Sequence, residues 1–65
     1  MRITVEIFSK DLGRFVALCD YCCVLVELLT RRPSAFIKVE LTGSKRMLEY
    51  LAYKLGEKKI FVLWE

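Results

Sequence analysis

Ile3-Thr4-Val5-Glu6-Ile7-Phe8-Ser9-Lys10 and Ile37-Lys38-Val39-Glu40-Leu41-Thr42-Gly43-Ser44-Lys45 are two versions of one phrase. Each alternates apolar and polar residues through a Glu, then breaks at a Ser-Lys step ahead of a helical pattern. Alternation with a period of two marks a half-buried strand, and Ser is a good helix N-cap. The phrase sets the organisation: a strand, a Ser-Lys turn and a helix, used twice, with a last strand to close.

Outward from the first copy, the pattern reads as one long helix from Lys10 to Thr30. At about 100° per residue, Gly13, Asp20, Glu27 and Arg31 fall in one narrow wedge and almost everything else is apolar. Such a helix is buried on several sides. Gly13 is poor inside a helix, so a second reading stands beside the first: a hairpin turn at residues 10–13, a strand over 14–18 and a helix from near Asp20. Pro33 restricts Arg32 and ends the helix.

After the second copy, Met47, Leu48, Leu51, Ala52 and Leu55 form the buried stripe of helix two, and Gly56 is its expected stop. Ile60 to Trp64 is apolar on both faces, as in a central strand. The expected class is α/β, with α+β as the alternative. The expected architecture is a small two-layer βαβαβ sandwich, with a three-stranded sheet and two helices on one face. Parallel crossovers would put both Ser-Lys turns at one sheet edge, and Glu6 and Glu40 on the open face.

Sixty-five residues make one domain, 1–65, with few interior positions. Yet 55% of the residues are hydrophobic and the mean hydropathy is +0.36. Some of that apolar surface should face another chain, most simply in a homodimer. The net charge of +3 comes largely from Arg31-Arg32, Lys45-Arg46 and Lys58-Lys59; it permits nucleic-acid binding without arguing for it. The chain has no His, Asn or Gln. Imidazole base catalysis is thereby excluded, along with the commonest zinc ligand. Missing amides fit a thermophile, while three Cys and two Met pull the other way. Met1 leads straight into a strand pattern, and Asp20 and Glu27 interrupt the apolar run from Phe15 to Leu29. A span needs roughly 20 apolar residues, so no membrane span is expected and a cytoplasmic location is.

Three features could carry chemistry. The first is Cys19-Asp20-Tyr21-Cys22, a C-x-x-C near a strand-helix pattern. Following Ile7-Phe8-Ser9-Lys10, it resembles the glutaredoxins, and the resemblance implies a thiol–disulfide pair at Cys19 and Cys22. It covers about twenty residues and departs from the family pattern in the eight extra residues from Asp11 to Leu18 and in having no X-Pro that could supply the family's cis-proline facing the disulfide, Pro33 being the only proline. The long-helix reading instead buries Cys22 far from the helix start, where a thiol packs and does not react.

The second feature is the pair of Ser-Lys turns. Lys10, Ser44, Lys45 and Arg46 would hold an anion if both turns opened helices at one edge; ordinary caps with solvated lysines explain the same residues. The third is the open sheet face. Phe8, Phe36, Phe61 and Leu63 would lie there, and Leu25 on helix one would join them as interface. Aromatics beside cations can stack bases, but Glu6 and Glu40 repel phosphate, so a protein partner is favoured over nucleic acid. The expected function is a small non-enzymatic binding or regulatory domain acting through protein–protein contact as a homodimer, with no cofactor and no metal. A thiol–disulfide protein and a nucleic-acid-binding module are the alternatives.

Overall fold

The computed structural model describes residues Met1–Glu65. Both copies of the repeated phrase are strands, β1 (Arg2–Phe8) and β3 (Phe36–Thr42). They pair with each other antiparallel, with Val5 opposite Val39, Ile3 opposite Leu41 and Ile7 opposite Ile37. Helix α1 covers Leu12–Tyr21 and α2 covers Lys45–Glu57. Two further strands, β2 (Leu25–Leu28) and β4 (Val62–Trp64), lie at the edges, in the order β2-β3-β1-β4.

The result is a small two-layer α+β sandwich with both helices on one face, as the sequence led us to expect. The sheet has four antiparallel strands where three were expected, and the order is βαββαβ in place of βαβαβ. Each helix joins two strands that leave a gap, and the other unit's first strand fills it. That is the split βαβ connectivity of ferredoxin-like sandwiches, and the likeness is one of strand order.

The long helix from Lys10 to Thr30 is not present, and neither is the hairpin over residues 10–18. Ser9–Asp11 forms a short 3₁₀ turn that runs into α1. The Ser9 side chain caps nothing; its N–H donates to the Ala35 carbonyl at 2.9 Å. Helix α1 stops at Cys22, and Cys23 takes φ 60°. The Val24 N–H donates to the Cys19 carbonyl at 2.9 Å, and the Cys23 N–H to that of Asp20 at 3.1 Å. This is the paired hydrogen-bond pattern of a Schellman stop, built on a residue other than glycine. Helix α2 ends the same way: Lys59 takes φ 58°, Ile60 donates to Leu55 at 2.9 Å, and Lys59 donates to Gly56 at 3.2 Å. Gly56 is not the stop residue; it lies inside the helix.

The left-handed conformation costs a side-chain-bearing residue about 1–2 kcal/mol, and glycine gives back part of that through its looser unfolded chain. Cys23→Gly and Lys59→Gly should therefore each stabilise the fold by about 0.5–1 kcal/mol, read as a higher urea midpoint at unchanged slope.

The inward residues of the two central strands, Val5, Ile7, Ile37, Val39 and Leu41, are buried against Phe15 and Cys19 of α1 and Leu48, Leu51 and Leu55 of α2. Val24 and Ile60, each just past a helix stop, close the two ends of this core. Ser44 starts α2 as expected, its hydroxyl accepting from the Met47 N–H at 3.1 Å. The stretch Ile60–Trp64 yields an edge strand and not a central one, because β1 and β3 fill the middle of the sheet. No helix is long and apolar enough to cross a membrane.

Candidate functional site

With both helices on one side, the other face of the sheet is uncovered. Strand alternation sends Arg2, Thr4, Glu6 and Phe8 of β1 to that face, together with Phe36, Lys38, Glu40 and Thr42 of β3. Leu63, opposite Glu6, joins them from β4. Leu25 and Glu27 join from β2, opposite Thr42 and Glu40. Leu25 thus reaches the open face from a strand and not from a helix, and it is 71% exposed.

The face has two unlike regions. At one end the Phe8 ring stands 4.7 Å from Phe36 and 5.8 Å from Phe61, centroid to centroid. Phe36 and Phe61 remain 43% and 54% exposed, and Leu63 is exposed beside them. The Lys10 ammonium sits 5.6 Å from the Phe8 centroid, a cation–π contact at the rim of the cluster. The middle of the face is mixed in charge, with Glu6, Glu27 and Glu40 against Lys38, which lies opposite Glu6, and Arg2, which shares a depression with Glu27 and Glu40. Lys38 pairs with Glu65 at 3.6 Å, while Glu6, Glu27 and Glu40 have no cation within ion-pair distance. Glu27 lies directly opposite Glu40 in the ladder, and like charges so placed repel.

The residues expected to hold an anion are not together. Because β1 and β3 run antiparallel, Ser9-Lys10 and Ser44-Lys45 lie at opposite ends of the sheet. Lys10 leans on Phe8, Ser44 is occupied as a cap, and Lys45 reaches Glu49 at 4.0 Å. Arg46 stays on α2 near Ser44 without Lys10. The four do not form one cradle.

Cys19 and Cys22 both lie at the C-terminal end of α1 and are buried; Cys23 is exposed. A helix C-terminus is the negative end of the dipole and disfavours a thiolate. Burial first, and then the neighbouring Cys22, pushes the Cys19 thiol up from 9.0 to about 12. Burial and Cys23 raise that of Cys22, against a small opposing pull from Lys54. These are packing thiols. A maleimide reagent near pH 8 should modify Cys23 alone in the folded protein and all three thiols in denaturant, read by mass spectrometry. Rapid native labelling of Cys19 and Cys22 would restore a redox role.

A groove of about 350 Å³ lies on the opposite, helical side, lined by Ala17, Leu18, Tyr21 and Ile60 with Arg14 and Lys58 at its rim. Arg14 is already engaged by Asp11 at 3.4 Å. The missed contributor to the open face is β2. Its signal was present in Val24 and Val26, β-branched residues placed where a helix was read.

No protein-family model, curated protein or solved structure matches the chain.

Proposed function

We propose that the protein is a small non-enzymatic binding domain that acts through protein–protein contact, with a homodimer as its working unit and the open sheet face as the surface offered to a partner. The observation that carries this reading is the exposed cluster of Phe8, Phe36 and Phe61, with Leu63 beside it, on a face that no other part of the chain covers. Aromatic anchors of this kind dominate the energetics of protein interfaces. Glu6, Glu27 and Glu40 outnumber Arg2 and Lys38 on the face and tilt it negative, which favours a basic, apolar segment over a phosphate backbone.

Panning a random displayed-peptide library on the folded protein tests this. The expected winners carry aromatic or aliphatic anchors beside Lys or Arg, and their amide shift changes fall on Phe36, Phe61 and Leu63. Failure to enrich any peptide on that face, or firm binding of a single-stranded oligonucleotide at low salt, overturns the reading in favour of the nucleic-acid alternative.

A further inference from the structure

The two edges of the sheet are not equally protected. Just past β2, the Leu29 and Thr30 N–H groups both donate to the Lys38 carbonyl, at 2.8 and 3.3 Å. Antiparallel alternation then turns the N–H and C=O groups of Leu25 and Glu27 towards β3, and those of Val26 and Leu28 out of the sheet. Natural sheets blunt such an edge with Lys, Pro or a covering element. Between Tyr21 and Thr30 the only charged side chain is Glu27, and Pro is absent. Leu25, Leu28 and Leu29 are exposed along the strand, with Leu28 at 50%. β4 also has a free row, at Val62 and Trp64, but it is one residue shorter and Glu65 follows it directly, whereas the cations nearest β2, Arg31 and Arg32, come three and four residues after Leu28.

We infer that β2 pairs antiparallel with β2 of a second copy, joining the two sheets into one of eight strands. The inference rests on the homodimer reading above and names its seam. A two-fold seam must match itself, and charge together with strand geometry favours one register. Val26 opposite the second copy's Leu28 would set the two Glu27 side chains face to face in a closely spaced pair, where like charges repel. Leu28 opposite its own copy would need Leu29 and Thr30 in a straight strand, whereas both turn onto the Lys38 carbonyl. Val26 opposite Val26 sets no like charges directly opposite. It brings Leu28 against the second copy's Val24, at the end of that copy's core. The Val26 N–H groups then donate to each other's carbonyls, and each Leu28 N–H donates to the other Val24 carbonyl. The Val24 N–H needs no partner there, because it is already committed to Cys19. An apolar strand that can pair with itself without setting like charges opposite each other fits its own copy as the occupant.

Amide hydrogen exchange of the full chain, read residue by residue at low and high concentration, tests the seam. The Val26 and Leu28 amides should slow at least tenfold as concentration rises, while Val62 and Trp64 stay fast. Val26→Pro removes an outward N–H without touching the ladder to β3, and should give a folded monomer by light scattering. Leu28→Lys, which charges the same edge, should do likewise and is read in its place if the proline variant does not fold. A dimer in which the β2 amides remain fast overturns the seam and leaves the homodimer standing. A wild-type monomer overturns both, and an assembly that grows beyond two copies overturns the closed two-fold seam.

Discussion

Phe15→Ala should lower the stability of the domain by about 3–5 kcal/mol. Phe15 is the largest fully buried side chain, and it sits on α1 at the point where that helix meets the sheet. Truncating a buried Phe to Ala costs about 3–5 kcal/mol, from lost transfer energy plus the cavity left behind. A domain of this size has a total stability of about 3–10 kcal/mol at the usual ~0.05–0.15 kcal/mol per residue. The loss is therefore a large fraction of everything that holds the fold. The site also has little means of collapse, because Val5, Val39 and Leu51 of the same core are themselves fully buried. Far-UV circular dichroism and a urea titration read the outcome directly. A variant that loses less than about 1 kcal/mol would mean that α1 does not pack on the sheet as described.

The second large effect is on binding. Phe36→Ala and Phe61→Ala should each weaken a peptide selected on the open face by about 2 kcal/mol or more, roughly 30-fold, since exposed aromatic clusters supply the anchors of an interface. The same substitutions should change the urea midpoint little, because both rings are about half exposed and neither belongs to the core between sheet and helices. Titration by isothermal calorimetry against the selected peptide separates the two effects. Equal affinity for wild type and both variants would move the contact surface away from the aromatic end. Phe8 makes a poorer test. It is partly buried between Phe36 and Phe61, so its removal would also disturb their positions.

Much of this surface is legible in the chain because face assignment depends only on alternation. Ile3, Val5 and Ile7 against Thr4, Glu6 and Phe8 determine which residues meet the helices, whatever the neighbouring strand does. The same holds for Phe36, Lys38 and Glu40. Helix α2 is equally plain, with Ser44 at its start and Leu48, Leu51 and Leu55 along its buried stripe.

What the chain conceals is β2. Its residues continue an apolar run that already reads as a buried helix, and the residue that ends α1 in the left-handed region is Cys23 where Gly would have signalled a stop. Gly13 and Gly56 mislead in the opposite sense, since both lie inside helices. One hidden strand then reverses the direction of everything after it. β3 turns antiparallel to β1, and the two Ser-Lys turns that look equivalent are carried to opposite ends of the sheet.

The repeat itself goes deeper than its spelling. Cys19, Cys23 and Val24 have structural counterparts in Leu55, Lys59 and Ile60: the helix residue whose carbonyl accepts the closing hydrogen bond, the left-handed stop and the core residue that follows it. Each unit is strand, helix, stop and short strand. β2 is to the first unit what β4 is to the second, and the two first strands pair about Val5 and Val39 at the centre of the sheet. Two units that complete each other's sheet use up the inner edges and leave β2 and β4 outside.

The most direct test of the homodimer is the molar mass in solution, by multi-angle light scattering at micromolar concentration. A homodimer gives twice the chain mass of 7.6 kDa. A mass of one chain at that concentration would contradict it.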